Sequence, residues 1–130
     1  MINAYIIDNF SYDISMKKFD KAKDNKIQEL VKIVKSSDKN NDDAFCELFN
    51  YFKPLIRSLQ LIYKIDDFDY DDWIQEGAIV CYKACISYNG SRGSRFASYY
   101  RLLLKNHIIS LIRKQETAKR KINKKKPLLP

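Results

Sequence analysis

Along most of this chain, apolar side chains recur at every third or fourth position, the period of a helix with one buried face. The strongest instance is AFCELFNYFKPLIRSLQLIYK. There Phe45, Leu48, Phe49, Phe52, Leu55, Ile56, Leu59, Ile62 and Tyr63 keep the spacing over about five turns. The polar connector SSDKNNDD in front of it ends in Asp42 and Asp43, both good helix caps. Pro54 has no N–H to give, so it is expected to kink or divide the helix. Upstream, Phe19, Ile27, Leu30, Val31 and Val34 predict one or two weaker helices over about 18–35, whereas residues 1–16 show no period and read as a loose arm.

Downstream, the acidic turn IDDFDYDD leads into a helix expected over about 70–88. Its narrow stripe, Ile74, Gly77, Ala78, Cys81, Ala84, Cys85 and Tyr88, is built of small residues that let a neighbouring helix come close. The opposite face carries Asp72, Gln75, Glu76, Ile79, Tyr82 and Lys83. NGSRGS breaks this helix, and Ser94 is placed to cap the next. That last helix is expected from about 95 to 115 or as far as 121, with Leu104, Ile108, Leu111 and Ile112 inward and Arg101, Lys105, Arg113 and Lys114 outward. KRKINKKKPLLP has too few apolar residues to fold alone. The predicted fold class is all-α, a compact helical bundle, with an N-terminal arm over 1–26, a helical domain over 27–118 and a basic tail or linker over 119–130.

Composition agrees. The 130 residues can bury one real core, and three glycines and three prolines are too few for an all-β chain of tight turns. No run approaches the roughly 20 apolar residues of a membrane span, and the N-terminus lacks the marks of a secretory signal, so a cytoplasmic protein is expected. Charge changes the picture more. Residues 1–76 hold 11 Lys and Arg against 15 Asp and Glu, while residues 77–130 hold 13 against one. Such polarity predicts two surfaces with two partners, the basic one a polyanion, most often nucleic acid.

Candidate chemistry is sparse. Cys46, Cys81 and Cys85 form no CxxC pair and His107 is the sole histidine, so the thiols are expected to be buried and no metal is called for. The carboxylates Asp66, Asp67, Asp69, Asp71, Asp72 and Glu76 could hold Mg²⁺ for phosphodiester hydrolysis, but they form one continuous turn at a helix start, where acids cap free amides. Neither catalysis nor a cofactor is expected. In SYNGSRGSRFASYYRLLLKN, the rings of Tyr88, Phe96, Tyr99 and Tyr100 stand among Arg92, Arg95, Arg101 and Lys105. Rings at helical spacing usually pack a core; rings among cations also suit unpaired bases and their phosphates.

Joined, these segments are more specific. DWIQEGAIVCYKACISYNGSRGSRFASYYRLLLKNHI resembles, without a gap, the second conserved region of bacterial RNA polymerase sigma factors of the sigma-seventy family. That region reads D-L-I-Q-E-G, an aliphatic helix with K-A, then G-x-[KR]-F-[SA]-x-Y and a basic helix. Asp72, Ile74, Gln75, Glu76, Gly77, Ile79, Lys83, Ala84, Gly93, Arg95, Phe96 and Tyr99 fall in register. The resemblance covers roughly residues 27–115, and LIRKQETAKRK is similar to the short alternative sigma factors, including those of competence.

The resemblance implies a sigma domain-two fold, no enzymatic activity, and two partners. Asp72, Gln75, Glu76, Ala78 and Tyr82 would face the clamp helices of the largest subunit of core RNA polymerase. Tyr88, Asn89, Arg92, Ser98 and Tyr99 would receive the first flipped adenine of the minus-ten promoter element. Arg95 and Phe96 would border the single-stranded non-template strand, and Asn106, Ile109 and Arg113 the upstream duplex. Tyr100 would extend the ring surface, and Arg101 and Lys105 would hold phosphates. On this reading the rings replace lost base stacking. Leu102 and Leu103 stand where housekeeping sigma factors carry two tryptophans, which implies melting that is weaker or more dependent on promoter sequence, and Asn106 and Ile109 replace the usual Gln and Thr. No counterpart of the helix-turn-helix for the minus-thirty-five element follows Lys126, so either this is a domain of a longer chain or a second protein supplies that function; an anti-sigma factor is a further candidate partner. The rival reading is a basic helical nucleic-acid binder that never meets polymerase.

Overall fold

The computed structural model describes residues 20–36, 41–90 and 93–125, so most of the expected arm, and Arg92, lie outside the described residues. Within them the chain forms four helices and no strand: α1 (Lys21–Lys35), α2 (Asn41–Ile62), α3 (Tyr70–Ser87) and α4 (Phe96–Lys125). The fold is all-α, as the periodicity predicts.

Helix α1 opens at Asp20, whose carboxylate accepts hydrogen bonds from the Ala22 N–H (3.0 Å) and the Lys23 N–H (3.3 Å). It buries Ile27, Leu30, Val31 and Val34, the predicted stripe. Helix α2 runs through Pro54 without being divided. An interior proline costs about 3 kcal/mol, whereas each buried aliphatic or aromatic side chain returns roughly 1.5–3 kcal/mol. Leu48, Phe49, Phe52, Ile56 and Leu59, all buried on both sides of the proline, outweigh the lost hydrogen bond.

The acidic turn is structural. Asp69 caps α3 in a reciprocal box: its carboxylate accepts from the Asp72 N–H (2.9 Å), and the Asp72 carboxylate accepts from the Asp69 N–H (3.0 Å). Asp66 is tied to the far end of α4. The Gln115 amide accepts from the Asp66 N–H (3.0 Å) and donates to the Asp66 carbonyl (2.9 Å), while Lys119 pairs with the Asp66 carboxylate. Asp67 takes the left-handed conformation, φ 65°, that turns the chain there.

The hydrogen bond from Lys119, then its charge, hold the Asp66 carboxyl below its ordinary value of 3.8, and the Asp72 N–H does the same for Asp69. Carboxyls lowered on folding stabilise the fold above their unfolded value and lose that contribution as pH falls through the folded one. The thermal midpoint by circular dichroism should therefore hold from about pH 7 to 5 and drop below about pH 4. A midpoint that stays level or rises across that lower window would contradict this account.

Helix α3 buries Trp73, Gly77, Val80, Cys81, Ala84 and Cys85. Gly77 leaves no room for a side chain: a Cβ there would lie 2.4 Å from Ile56 Cδ1 and 3.4 Å from the Tyr100 hydroxyl. Cys81 and Cys85 are buried, and a hydrogen bond between them together with burial pushes the Cys81 thiol far above its usual range. Cys46 corrects the expectation of three buried thiols, because it sits on the outer side of α2 and is exposed. Among the described residues, no group of three or more His, Cys, Asp or Glu could hold a metal.

Helix α4 begins at Phe96, not at a Ser94 cap; the Arg95 carbonyl accepts from the Tyr99 N–H (3.1 Å). It continues to Lys125, so residues 119–125, expected as tail, are helical. At 30 residues it is about 45 Å long. The physical reason is local and distant together. QETAKRKINKK contains no Gly or Pro and mostly good helix formers, Glu116 pairs with Arg120 one turn on (3.8 Å), and Asp66 anchors Gln115 and Lys119 from outside.

Candidate protein and nucleic-acid interfaces

Outward from the core, α3 presents Gln75, Ile79, Tyr82 and Ile86 at spacings of four, three and four, which aligns them on one face. Ile79, Tyr82 and Ile86 are each 44–45% exposed. Clustered exposed apolar side chains with a polar rim are the signature of a docking surface. One border of this face is set by α2, where Phe45 meets the Tyr82 ring edge-on at 6.0 Å. The other is set by α4, where His107 Nε2 lies 2.8 Å from Glu76 Oε2, both side chains half-buried.

Of the five residues assigned to polymerase by resemblance, Gln75 and Tyr82 are exposed on this face. Ala78 is half-buried against the core, Glu76 is held by His107, and Asp72 is half-buried and held in the capping box. Ile86 was absent from the expected set; its signal is the unbroken four-residue step from Tyr82.

Helix α4 is two-sided. Phe96, Tyr100, Leu104 and Ile108, four residues apart, are essentially inaccessible. Phe96 and Tyr100 stack at 6.1 Å, and Phe52 meets them edge-on at 5.8 and 5.1 Å. The Tyr100 hydroxyl donates to the Gly77 carbonyl at 2.6 Å, and burial pushes this phenol well above the ordinary tyrosine range. Both rings therefore lack a face for a nucleobase, which corrects the strand-bordering role expected of Phe96 and the extended ring surface expected of Tyr100. Their place in the four-residue ladder of Leu104 and Ile108 is the cause.

Tyr88 sits at the margin of the same aromatic cluster, 7% exposed. Its ring is 5.4 Å from Phe96 and 5.5 Å from Tyr99, and its hydroxyl donates to the Ser94 carbonyl (2.5 Å) and accepts from Gln28 (3.3 Å). Tyr99 is the α4 ring that keeps accessible surface, with its hydroxyl 2.7 Å from Ser87 Oγ. Asn89 is exposed, and Arg95, Ser98 and Arg101 are half-buried, so these residues gather with Tyr99 where α3 ends and α4 begins.

The outer side of α4 carries Leu102, Lys105, Asn106, Ile109, Ser110 and Arg113 around a shallow groove of about 380 Å³. Leu102 is 55% exposed. A second depression follows along Arg113, Lys114, Thr117, Ala118 and Lys121. Lys105, Asn106, Ile109 and Arg113, expected at DNA, thus share one face.

The family model described as Sigma-70 region 2 matches residues 48–117, more than half of the chain. The chain belongs to the sigma-70 family. The sigma-70 match takes in α2 from Leu48, all of α3 and α4 as far as Thr117, and so contains both faces just described. Comparison with curated proteins and with solved structures gives no match. Membership in the sigma-70 family carries a role in transcription initiation, through binding to core RNA polymerase and promoter DNA. No helix among the described residues is long and apolar enough to cross a membrane. Outside the sigma-70 match lie α1, the first turns of α2 and the last turns of α4.

Proposed function

We propose that this chain docks on the clamp helices of core RNA polymerase through the outer face of α3, and recognises and opens the minus-ten promoter element through α4. The observation that carries the proposal is the pairing of an exposed apolar stripe, Ile79, Tyr82 and Ile86, with a separate basic face on the adjoining helix. A stand-alone nucleic-acid binder has use for the second face only.

On this reading the chain does no covalent chemistry and acts by binding energy. Docking draws on the α3 stripe, with Gln75 and Glu76 as polar contacts. Strand separation costs a few kcal/mol for each base taken from the stack. Part of that is offset where Tyr99, Asn89 and Ser98 surround the end of α4, since stacking a base on a ring is worth roughly 1–3 kcal/mol. With Phe96 and Tyr100 buried, Tyr99 carries the stacking on α4, aided by Tyr88 at its edge. Arg95, Arg101 and Lys105 then serve the phosphates, and Asn106, Ile109 and Arg113 the upstream duplex.

The experiment is gel filtration of the chain with bacterial core RNA polymerase, followed by binding of the complex to single-stranded non-template oligonucleotides. Co-migration, and tighter binding to a minus-ten sequence than to its scrambled counterpart, are expected. A chain that binds DNA without base preference and elutes apart from polymerase is the stand-alone binder.

A further inference from the structure

Helices α3 and α4 are joined at two neighbouring residues of α3. The Gly77 carbonyl accepts from the Tyr100 hydroxyl at 2.6 Å, and one residue earlier Glu76 Oε2 meets His107 Nε2 at 2.8 Å. The first contact is buried and fixes how closely the helices pack. The second lies at the border of the exposed face of α3, with Glu76 at 28% and His107 at 31% side-chain exposure. A carboxylate offers about four lone-pair positions, so the bond to His107 leaves Glu76 able to accept a further hydrogen bond from a docking partner.

We propose that His107 is a positioning residue for polymerase docking: it holds the Glu76 carboxylate in one orientation at the edge of the docking face before the partner arrives. This rests on the polymerase reading of α3. A glutamate free in solvent samples many rotamers, and a partner that uses it must freeze them. A glutamate already held by His107 has lost that freedom during folding. The histidine belongs to the helix whose other side is assigned to DNA, so α4 also shapes the protein-binding face of its neighbour.

The test is the dissociation constant for core RNA polymerase, measured by fluorescence anisotropy on the full chain and variants. His107→Ala should weaken binding about fivefold, the scale of one immobilised side chain. His107→Gln, whose amide can donate to the same carboxylate oxygen, should recover most of the loss. Glu76→Ala should weaken binding at least as much, and Glu76→Ala with His107→Ala should be no worse than Glu76→Ala alone. A histidine that merely stabilises the fold would give losses that multiply in the double variant. That outcome overturns the proposal, as does an unchanged constant in His107→Ala. A wild-type chain that does not bind polymerase at all overturns the docking reading itself, and is told apart by that.

Discussion

Phe96→Ala will lower the unfolding free energy by about 3–5 kcal/mol, the usual cost of emptying a buried phenylalanine site. Domains of this kind have only about 5–15 kcal/mol to lose, so a large fraction of the stability goes. The ring is 0% exposed and touches Phe52, Tyr88 and Tyr100, which cannot all close over the vacated volume. Chemical denaturation of wild type and variant reads the effect directly. The outcome separates two roles for one residue. A ring set aside for DNA would give an unchanged midpoint and a defect in promoter opening alone. A core ring gives the lower midpoint, and any DNA defect then follows from the population unfolded.

The second large effect is functional. Ile79→Asp should weaken binding to core RNA polymerase at least about 30-fold, the scale of an interface hot spot, while leaving the fold within about 0.5 kcal/mol. Ile79 lies in the middle of the exposed stripe, flanked by Gln75 and Tyr82, and is 45% exposed, so folding gains little from it. A carboxylate there would have to be stripped of water on docking, and Lys83 one turn on, itself exposed, offsets only part of that cost. Glu76→Lys is a poorer probe of the same surface. It would set an ammonium against His107 and disturb the α3–α4 seam as well as the interface. Co-elution of Ile79→Asp with polymerase as tight as wild type would remove the α3 stripe from the docking account.

Much of this architecture can be read without coordinates, and the exceptions have physical causes. The spacing of Phe45 through Tyr63 places α2 because five turns of one-sided apolar residues have no other stable home. Pro54 misleads there, since its cost is local and the burial that outweighs it is spread along the helix. The aromatic segment is the instructive case. Rings beside cations fit two explanations, and the family resemblance favours the one at the surface. Yet Leu104 and Ile108, counted backwards in fours, arrive at Tyr100 and Phe96; that step was present in the sequence and identifies both as core. Tyr99, one residue off the ladder, is the ring left at the surface.

Other features depend on residues far apart along the chain. The helical end of α4 needs Asp66 to hold Gln115 and Lys119, and the orientation of Glu76 needs His107. Neither pairing leaves a periodic trace. What family membership supplies is the pair of partners, core RNA polymerase and promoter DNA. What it leaves out is which side chains on α3 and α4 are already engaged within the chain.

The burial of Trp73 has a practical side. It is the chain's single tryptophan, 3% exposed, on the helix assigned to polymerase docking but on the side turned away from the docking face. Its emission is therefore a clean optical signal for this bundle: blue-shifted while the core is closed, red-shifted when water reaches the indole. Docking on the outer face should leave the emission maximum where it is. One label-free fluorophore thus distinguishes a variant that has lost its partner from one that has lost its fold.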